Sequence, residues 1–324
     1  LLLLRCLLDM GLSKRPLLEP NLNAAGLGCL AIGIAGLLIA ETINLPVEQG
    51  TKRNPAESPD PASVAPPEPP VSRVAVESMK RIEILPVTLS RSRPQDILSR
   101  VLATVCHLVL AIALIAVGTY HFGRLTTGLS VATCYLLLPY TRVAVVDTGQ
   151  LVSAALIVCA VWHYQRPMVA GALLGLAGGW IPACLGLLPL WTGFYVRRGA
   201  RRFLAFAIGV PLVCGALAAT VPGLSEWALA LGARSLAEAG FWPVSDPPTR
   251  FLSESIWAGV DLSYRLPVLV LYCALVCITA VWPMNKNLGE LISLSAALLI
   301  ASQFWYVDRG GTLILLYLPL VLLM

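Results

Sequence analysis

From Ser99 to Met324 the chain is a succession of apolar runs separated by short polar interruptions. Each run approaches the roughly 20 residues that a helix needs to cross a bilayer. The runs do not alternate polar and apolar positions, as barrel strands do. In hydrocarbon every backbone amide must be bonded within its own segment, so runs of this kind predict helices. Helical segments are expected at 24–42, 100–119, 125–140, 150–164, 168–180, 182–196, 202–221, 266–283, 288–304 and 311–324. The pair 168–180 and 182–196 is too short for two full crossings. With Gly178-Gly179-Trp180-Ile181-Pro182 between them, it predicts a helical hairpin of partial depth. Gly171, Gly175 and Gly179 fall at i, i+4 and i+8, a small-residue stripe that lets another helix approach closely.

Composition agrees with this pattern. The chain is 57% hydrophobic and 13% charged, against about a quarter charged in ordinary soluble domains. The expected fold class is an all-α integral membrane protein with ten hydrophobic helical segments, multi-pass in a bacterial inner (plasma) membrane. Basic residues resist translocation more than acids do, so loop arginines and lysines set the orientation. One parity of loops holds Arg124, Arg166, Arg197, Arg198, Arg201, Arg202 and Lys286, and the other holds only Arg142 and Arg309. The first set is expected in the cytoplasm, with 43–99 and 222–265 facing outward. The net charge of +5 is mostly this one-sided bias and not a nucleic-acid footprint.

Three regions follow. Residues 1–42 form an N-terminal cytoplasmic segment and first span. Leu1-Leu2-Leu3-Leu4 reads as the tail of a preceding span and Met324 lies inside an apolar run, so a longer natural chain is expected. Residues 43–98, with Pro55, Pro59, Pro61, Pro66, Pro67, Pro69 and Pro70, lack the apolar content to fold alone and read as an outward linker. Residues 99–324 form the multi-span membrane domain.

The cysteines sit in apolar runs or, for Cys6, near the N-terminus, which implies no disulfide framework. Cys273 and Cys277 read as packing residues. His107, His121 and His163 are scattered, so no metal motif is present.

Ionisable groups at membrane depth are costly and usually functional, and they crowd four places on the outward parity. Tyr140, Arg142, Asp147 and Gln150 surround a span entrance, where Asp147 serves equally well as a functional acid or as a helix N-cap. Trp180 marks the hairpin apex. The loop 222–265 carries Arg250, Glu254 and Trp257 among other charges and aromatics, a combination that suits sugar rings and equally an interfacial helix. Trp305, Asp308 and Arg309 end the next-to-last run.

In order, these features resemble the GT-C class of membrane glycosyltransferases, specifically glycosyltransferase family 87, from about Arg100 to Met324. The pieces are the span ending at Arg124, the Pro139 turn to Gly149-Gln150, the hairpin to Pro182 and the basic Arg197-to-Arg202 loop. Ser253-Glu254-Ser255-Ile256-Trp257 and Phe304-Trp305 complete the series. The resemblance implies transfer of a sugar, a hexose such as mannose, from a polyprenol-phosphate donor to a lipid or glycan acceptor at the outer membrane face. Such transfer needs a carboxylate near the acceptor hydroxyl and cations on the departing phosphate. Asp147, Glu254 and Asp308 are the candidate acids, with Arg142, Arg250 and Arg309 as phosphate partners. Tyr140, Gln150, Trp180, Trp257 and Trp305 are candidate substrate contacts. A divalent metal is compatible with this chemistry, but no ligand motif marks one.

The sequence departs from the family at three points. No Asp-x-Tyr-like element appears in 43–99, Trp180-Ile181 replaces a Lys near the hairpin apex, and Tyr306-Val307-Asp308 replaces a His after the late Trp. A catalytically silent GT-C-like fold and a transporter or flippase for a lipid-linked sugar therefore stay open beside the transferase.

The charge bias makes a direct prediction. In a cysteine-free background, Asp246→Cys reacts with a membrane-impermeant thiol reagent in intact cells, and Arg201→Cys reacts only after permeabilisation. The reverse pattern would invert the orientation.

Overall fold

The computed structural model describes Leu3 and residues 23–44, 94–221, 223–233, 264–283, 286–305 and 313–324. The described residues are helical, without strands. The helices are α1 (Ala24–Asn44), α2 (Pro94–Tyr120), α3 (Leu125–Leu137), α4 (Pro139–Val143), α5 (Thr148–Trp162), α6 (Pro167–Trp180), α7 (Leu187–Tyr195), α8 (Ala200–Thr220), α9 (Leu224–Ala230), α10 (Arg265–Val281), α11 (Leu288–Ser302) and α12 (Ile314–Leu323). A 3-10 turn, Pro182–Gly186, joins α6 to α7. Three helical stretches, Ala24–Ile43, Ile97–Tyr120 and Ala200–Thr220, are long and apolar enough to cross a membrane.

Proline accounts for most departures from the expected segments. The run 125–140 breaks at Leu138, whose extended backbone (φ −63°, ψ 135°) is the conformation that a following proline imposes, and Pro139 then starts α4. The run 182–196 opens as a 3-10 turn behind Pro182. Helix α2 starts at Pro94, inside the stretch assigned to the linker, because proline suits the first helical position, where its missing N–H has no intrahelical partner to lose. The proline-dense 55–70 portion of the linker lies outside the described residues.

The hairpin forms as expected. Its 14-residue arm α6 rises roughly 21 Å, and the return through α7 brings Tyr195 back to the start, where its hydroxyl donates to the Tyr164 carbonyl. The ring of Phe194 lies 6.2 Å from that of Tyr164. This depth falls short of a hydrocarbon core of about 30 Å, and Ile181 and Pro182 at the apex are buried.

The glycine stripe explains where α8 sits. A Cβ on Gly171 would meet the Phe203 carbonyl oxygen at 2.4 Å, one on Gly175 would meet that of Ala207 at 2.2 Å, and one on Gly179 would meet Pro211 Cβ at 3.4 Å. The partners repeat at the same four-residue spacing, so α6 and α8 run parallel with their backbones in contact. Helices α2 and α3 meet in the same way, since a Cβ on Gly118 would lie 2.2 Å from Gly128 Cα.

Helix α5 is buried along most of its length between α2, α6 and α12, and α11 is buried without interruption from Leu291 to Ser302. Trp191 on α7 reaches α11, its indole N–H donating to Ser295 Oγ at 3.0 Å. By contrast α1, α8 and α10 turn large apolar side chains outward, among them Ile32, Leu37, Leu212, Val213 and Leu271. Cys273 and Cys277 belong to this outer surface and not to the packed interior. An exposed apolar belt of this extent suits a lipid surround and not water.

The polar loops sort to two ends. His121 Nε2 donates to the Trp162 carbonyl at 2.9 Å, joining the α2–α3 turn to the end of α5. Tyr164 and Tyr195 join that end to the α7–α8 loop. Arg124, Arg166, Arg197 and Arg198 therefore share one end, and Arg142 and Asp147 lie at the other.

The α6–α8 contact is testable by paired substitutions. Gly175→Ala drives a Cβ into the α8 backbone and is expected to lower stability in detergent by about 1–3 kcal/mol. Gly209→Ala, where nothing lies within 4 Å, is expected to be neutral or to stabilise by about 0.5–1 kcal/mol. The unfolding midpoint should fall for Gly175→Ala and should not fall for Gly209→Ala.

Candidate functional site

At the end away from the arginine loops, Asp147 is the N-cap of α5. Its Oδ1 accepts the Gln150 backbone N–H at 3.4 Å, and its Oδ2 accepts the Gln150 side-chain amide at 2.9 Å. The expectation that the two share one face is met, and they bond each other. Gln150 is 4% exposed, and its Oε1 accepts the Leu315 backbone N–H at 3.1 Å. Gln303, also buried, accepts the Leu313 N–H at 3.3 Å. Helix α12 has no side-chain cap of its own. Two amides from α5 and from the end of α11 thus supply acceptors that its first turn lacks.

The segment after α9 docks on the same place. Thr148 donates its hydroxyl to the Leu231 carbonyl, and the backbones of Gly149 and Gly232 touch. Gly232 adopts a left-handed φ of +97°, and a Cβ there would fall 2.7 Å from Gly149 N. The start of the 222–265 loop thus lies against the entrance of α5. Arg250, Glu254 and Trp257 of that loop, with Asp308 and Arg309, lie outside the described residues.

The other expected contacts fall around this cluster. Arg142 is exposed and pairs with Glu41 at 3.0 Å, tying α4 to α1. Tyr140 is exposed. Trp180 is half-buried, and its indole N–H is buried without a hydrogen-bond partner. Trp305 is buried against the Tyr272 ring, with centroids 5.5 Å apart, and its carbonyl accepts from Arg265 Nε and Nη2 at 3.3 and 3.1 Å.

Sequence reasoning missed the roles of Arg265, Gln303 and His107. Arg265 is 2% exposed, although its place at the head of an apolar run suggests only a loop charge. His107 Nε2 faces the Val145 carbonyl at 3.2 Å and so carries the proton. Its Nδ1 lies 3.0 Å from the Tyr135 hydroxyl, which donates to it when the ring is neutral. The one signal was type: each is a hydrogen-bonding side chain inside or next to an apolar run. Among the described residues no group of three or more His, Cys, Asp or Glu is placed to hold a metal ion.

A groove of about 1110 Å³ lies at the opposite, basic end, lined by Arg197, Arg198, Lys286, Phe194, Leu204 and Val281 among others. Lys286 Nζ donates to the Ala280 and Pro283 carbonyls at 3.0 Å each, closing the end of α10. Desolvation lowers its pKa, partly offset by the Glu290 carboxylate.

The capping roles separate by substitution. Asp147→Asn keeps an N-cap acceptor and should leave stability nearly unchanged, whereas Asp147→Ala should cost about 0.5–2 kcal/mol. Gln150→Leu strands the Leu315 N–H and should cost about 1–3 kcal/mol, with faster hydrogen exchange at Leu315. Unchanged exchange at Leu315 would remove the capping role of Gln150.

No protein-family model matches the chain, and neither a curated protein nor a solved structure matches it.

Proposed function

We propose that the chain is a multi-pass integral membrane protein of GT-C glycosyltransferase type, with ten hydrophobic segments. It moves a hexose from a polyprenol-phosphate donor to a lipid or glycan acceptor at the face opposite the basic loops. The observation that carries this reading is the segregation of the polar ends. The arginine loops gather at one end, while Tyr140, Arg142 and Asp147 lie at the other, next to the docked start of the 222–265 loop. The partial-depth hairpin, closed by Tyr195 on Tyr164, agrees with the expected order of motifs. In this reading Asp147 is the acid nearest the acceptor hydroxyl, with Glu254 and Asp308 as the further acids. Arg142, Arg250 and Arg309 neutralise the departing phosphate.

A specific observation favours a second reading, a silent fold of the same type. Asp147 and Gln150 bond each other and cap the starts of α5 and α12, contacts that a structural role requires.

The experiment that separates the two is transfer from a radiolabelled polyprenol-phosphate hexose in proteoliposomes holding the natural full-length chain. The transferase reading expects transfer by the wild type and its loss in Asp147→Asn, which keeps the cap and the shape but not the carboxylate. Full activity in Asp147→Asn would eliminate Asp147 as the base. Absence of transfer from any polyprenol-phosphate donor in the wild type would leave the silent fold.

A further inference from the structure

The groove at the basic end plays no part in the chemistry proposed for the opposite end. It lies between α7, the start of α8, the end of α10 and the start of α11, and its lining divides into two kinds of surface. One part is cationic. Arg197 and Arg198 are exposed on the α7–α8 turn, and the Arg198 guanidinium lies 5.5 Å from the centre of the Phe194 ring. That cation–π contact holds the Arg198 charge beside the groove wall. Lys286 adds a third cation from the far wall. The nearby Glu290 carboxylate accepts the Asn287 backbone N–H and side-chain amide at 3.1 Å each and balances part of the Lys286 charge, so Arg197 and Arg198 carry most of the cationic surface. The other part is apolar, formed by Leu188, Leu204 and Val281, and Val281 is 71% exposed and continuous with the outer apolar belt.

A cationic head beside an apolar wall that opens onto the outer belt matches an amphiphile with an anionic head. A free soluble anion would leave the apolar wall in water, and a neutral lipid would leave the arginines unmatched. The volume also exceeds what one phosphate fills. We propose that this groove holds an anionic phospholipid of the leaflet at the basic end, its phosphate on Arg197 and Arg198 and its acyl chains along Leu204 and Val281. Lys286, held by the α10 carbonyls, lends positive potential from behind without leaving its capping position.

The test compares lipid retention by the detergent-solubilised full chain, read by native mass spectrometry after exchange into mixed micelles of phosphatidylglycerol and phosphatidylcholine. The wild type should retain phosphatidylglycerol in preference to phosphatidylcholine. Arg197→Gln with Arg198→Gln should lose on the order of fivefold of that preference per arginine. Arg201→Gln with Arg202→Gln removes equal charge from the same end but outside the groove lining, and should keep the preference. Equal losses in the two double variants would reduce the effect to general surface charge and overturn the site. Displacement of the lipid by millimolar inorganic phosphate or glycerol phosphate would assign the cations to a free anion instead. Unfolding midpoints in phosphatidylcholine alone check that the variants fold. Should the Arg197 and Arg198 variant not fold, the salt dependence of wild-type retention decides, since retention unaffected by salt would contradict a phosphate held by exposed arginines.

Discussion

Helices that stop inside an apolar surround leave N–H and C=O groups with no water to take them, and the architecture of this chain depends on how those groups are satisfied. Several of its helices are short, from the 5 residues of α4 to the 15 of α5 and α11. The first turn of α12 is served by Gln150 and Gln303, the end of α5 by His121, and the end of α10 by Lys286. The carbonyl of Trp305, just past α11, is taken by Arg265, and that of Val145, just before α5, by His107. Other buried hydroxyls, among them Thr42, Thr133 and Ser293, bond carbonyls one turn back within their own helices instead.

That constraint bears on function. A buried polar residue in an apolar run is ordinarily a sign of chemistry, yet here the same residue types close helix ends. Asp147 and Gln150 lie at the meeting point of both demands, since they terminate α5, support α12 and stand where the 222–265 loop begins. A carboxylate held by an adjacent amide in this way is well positioned, whether it goes on to meet a substrate or only to hold two helices together.

The second organising device is close backbone approach. Gly171, Gly175 and Gly179 remove side-chain bulk from α6, and α8 settles onto it along Phe203, Ala207 and Pro211. Because dispersion falls steeply with distance, backbone contact over three turns gives α6 and α8 an attraction that apolar side chains surrounded by lipid do not supply. A further close approach, of Gly193 on α7 to the Ala280 carbonyl, sets the α7–α8 turn with Arg197 and Arg198 beside the end of α10.

Much of this was legible in the chain, because the features concerned are local. Apolar run lengths determine the helices, Pro139 and Pro182 determine where two of them break, and the spacing of three glycines determines the face of α6 that receives α8. The arginine count of alternating loops determines that the ends differ in charge. The tertiary structure alone decided the rest. Gln150 meets Leu315 across 165 positions and Arg265 meets Trp305 across 40, and no spacing rule connects such pairs. It also decided that the large groove opens among the basic loops, since a cavity arises from the relative placement of four helices, and each helix carries in its own sequence only the pattern of the face it buries.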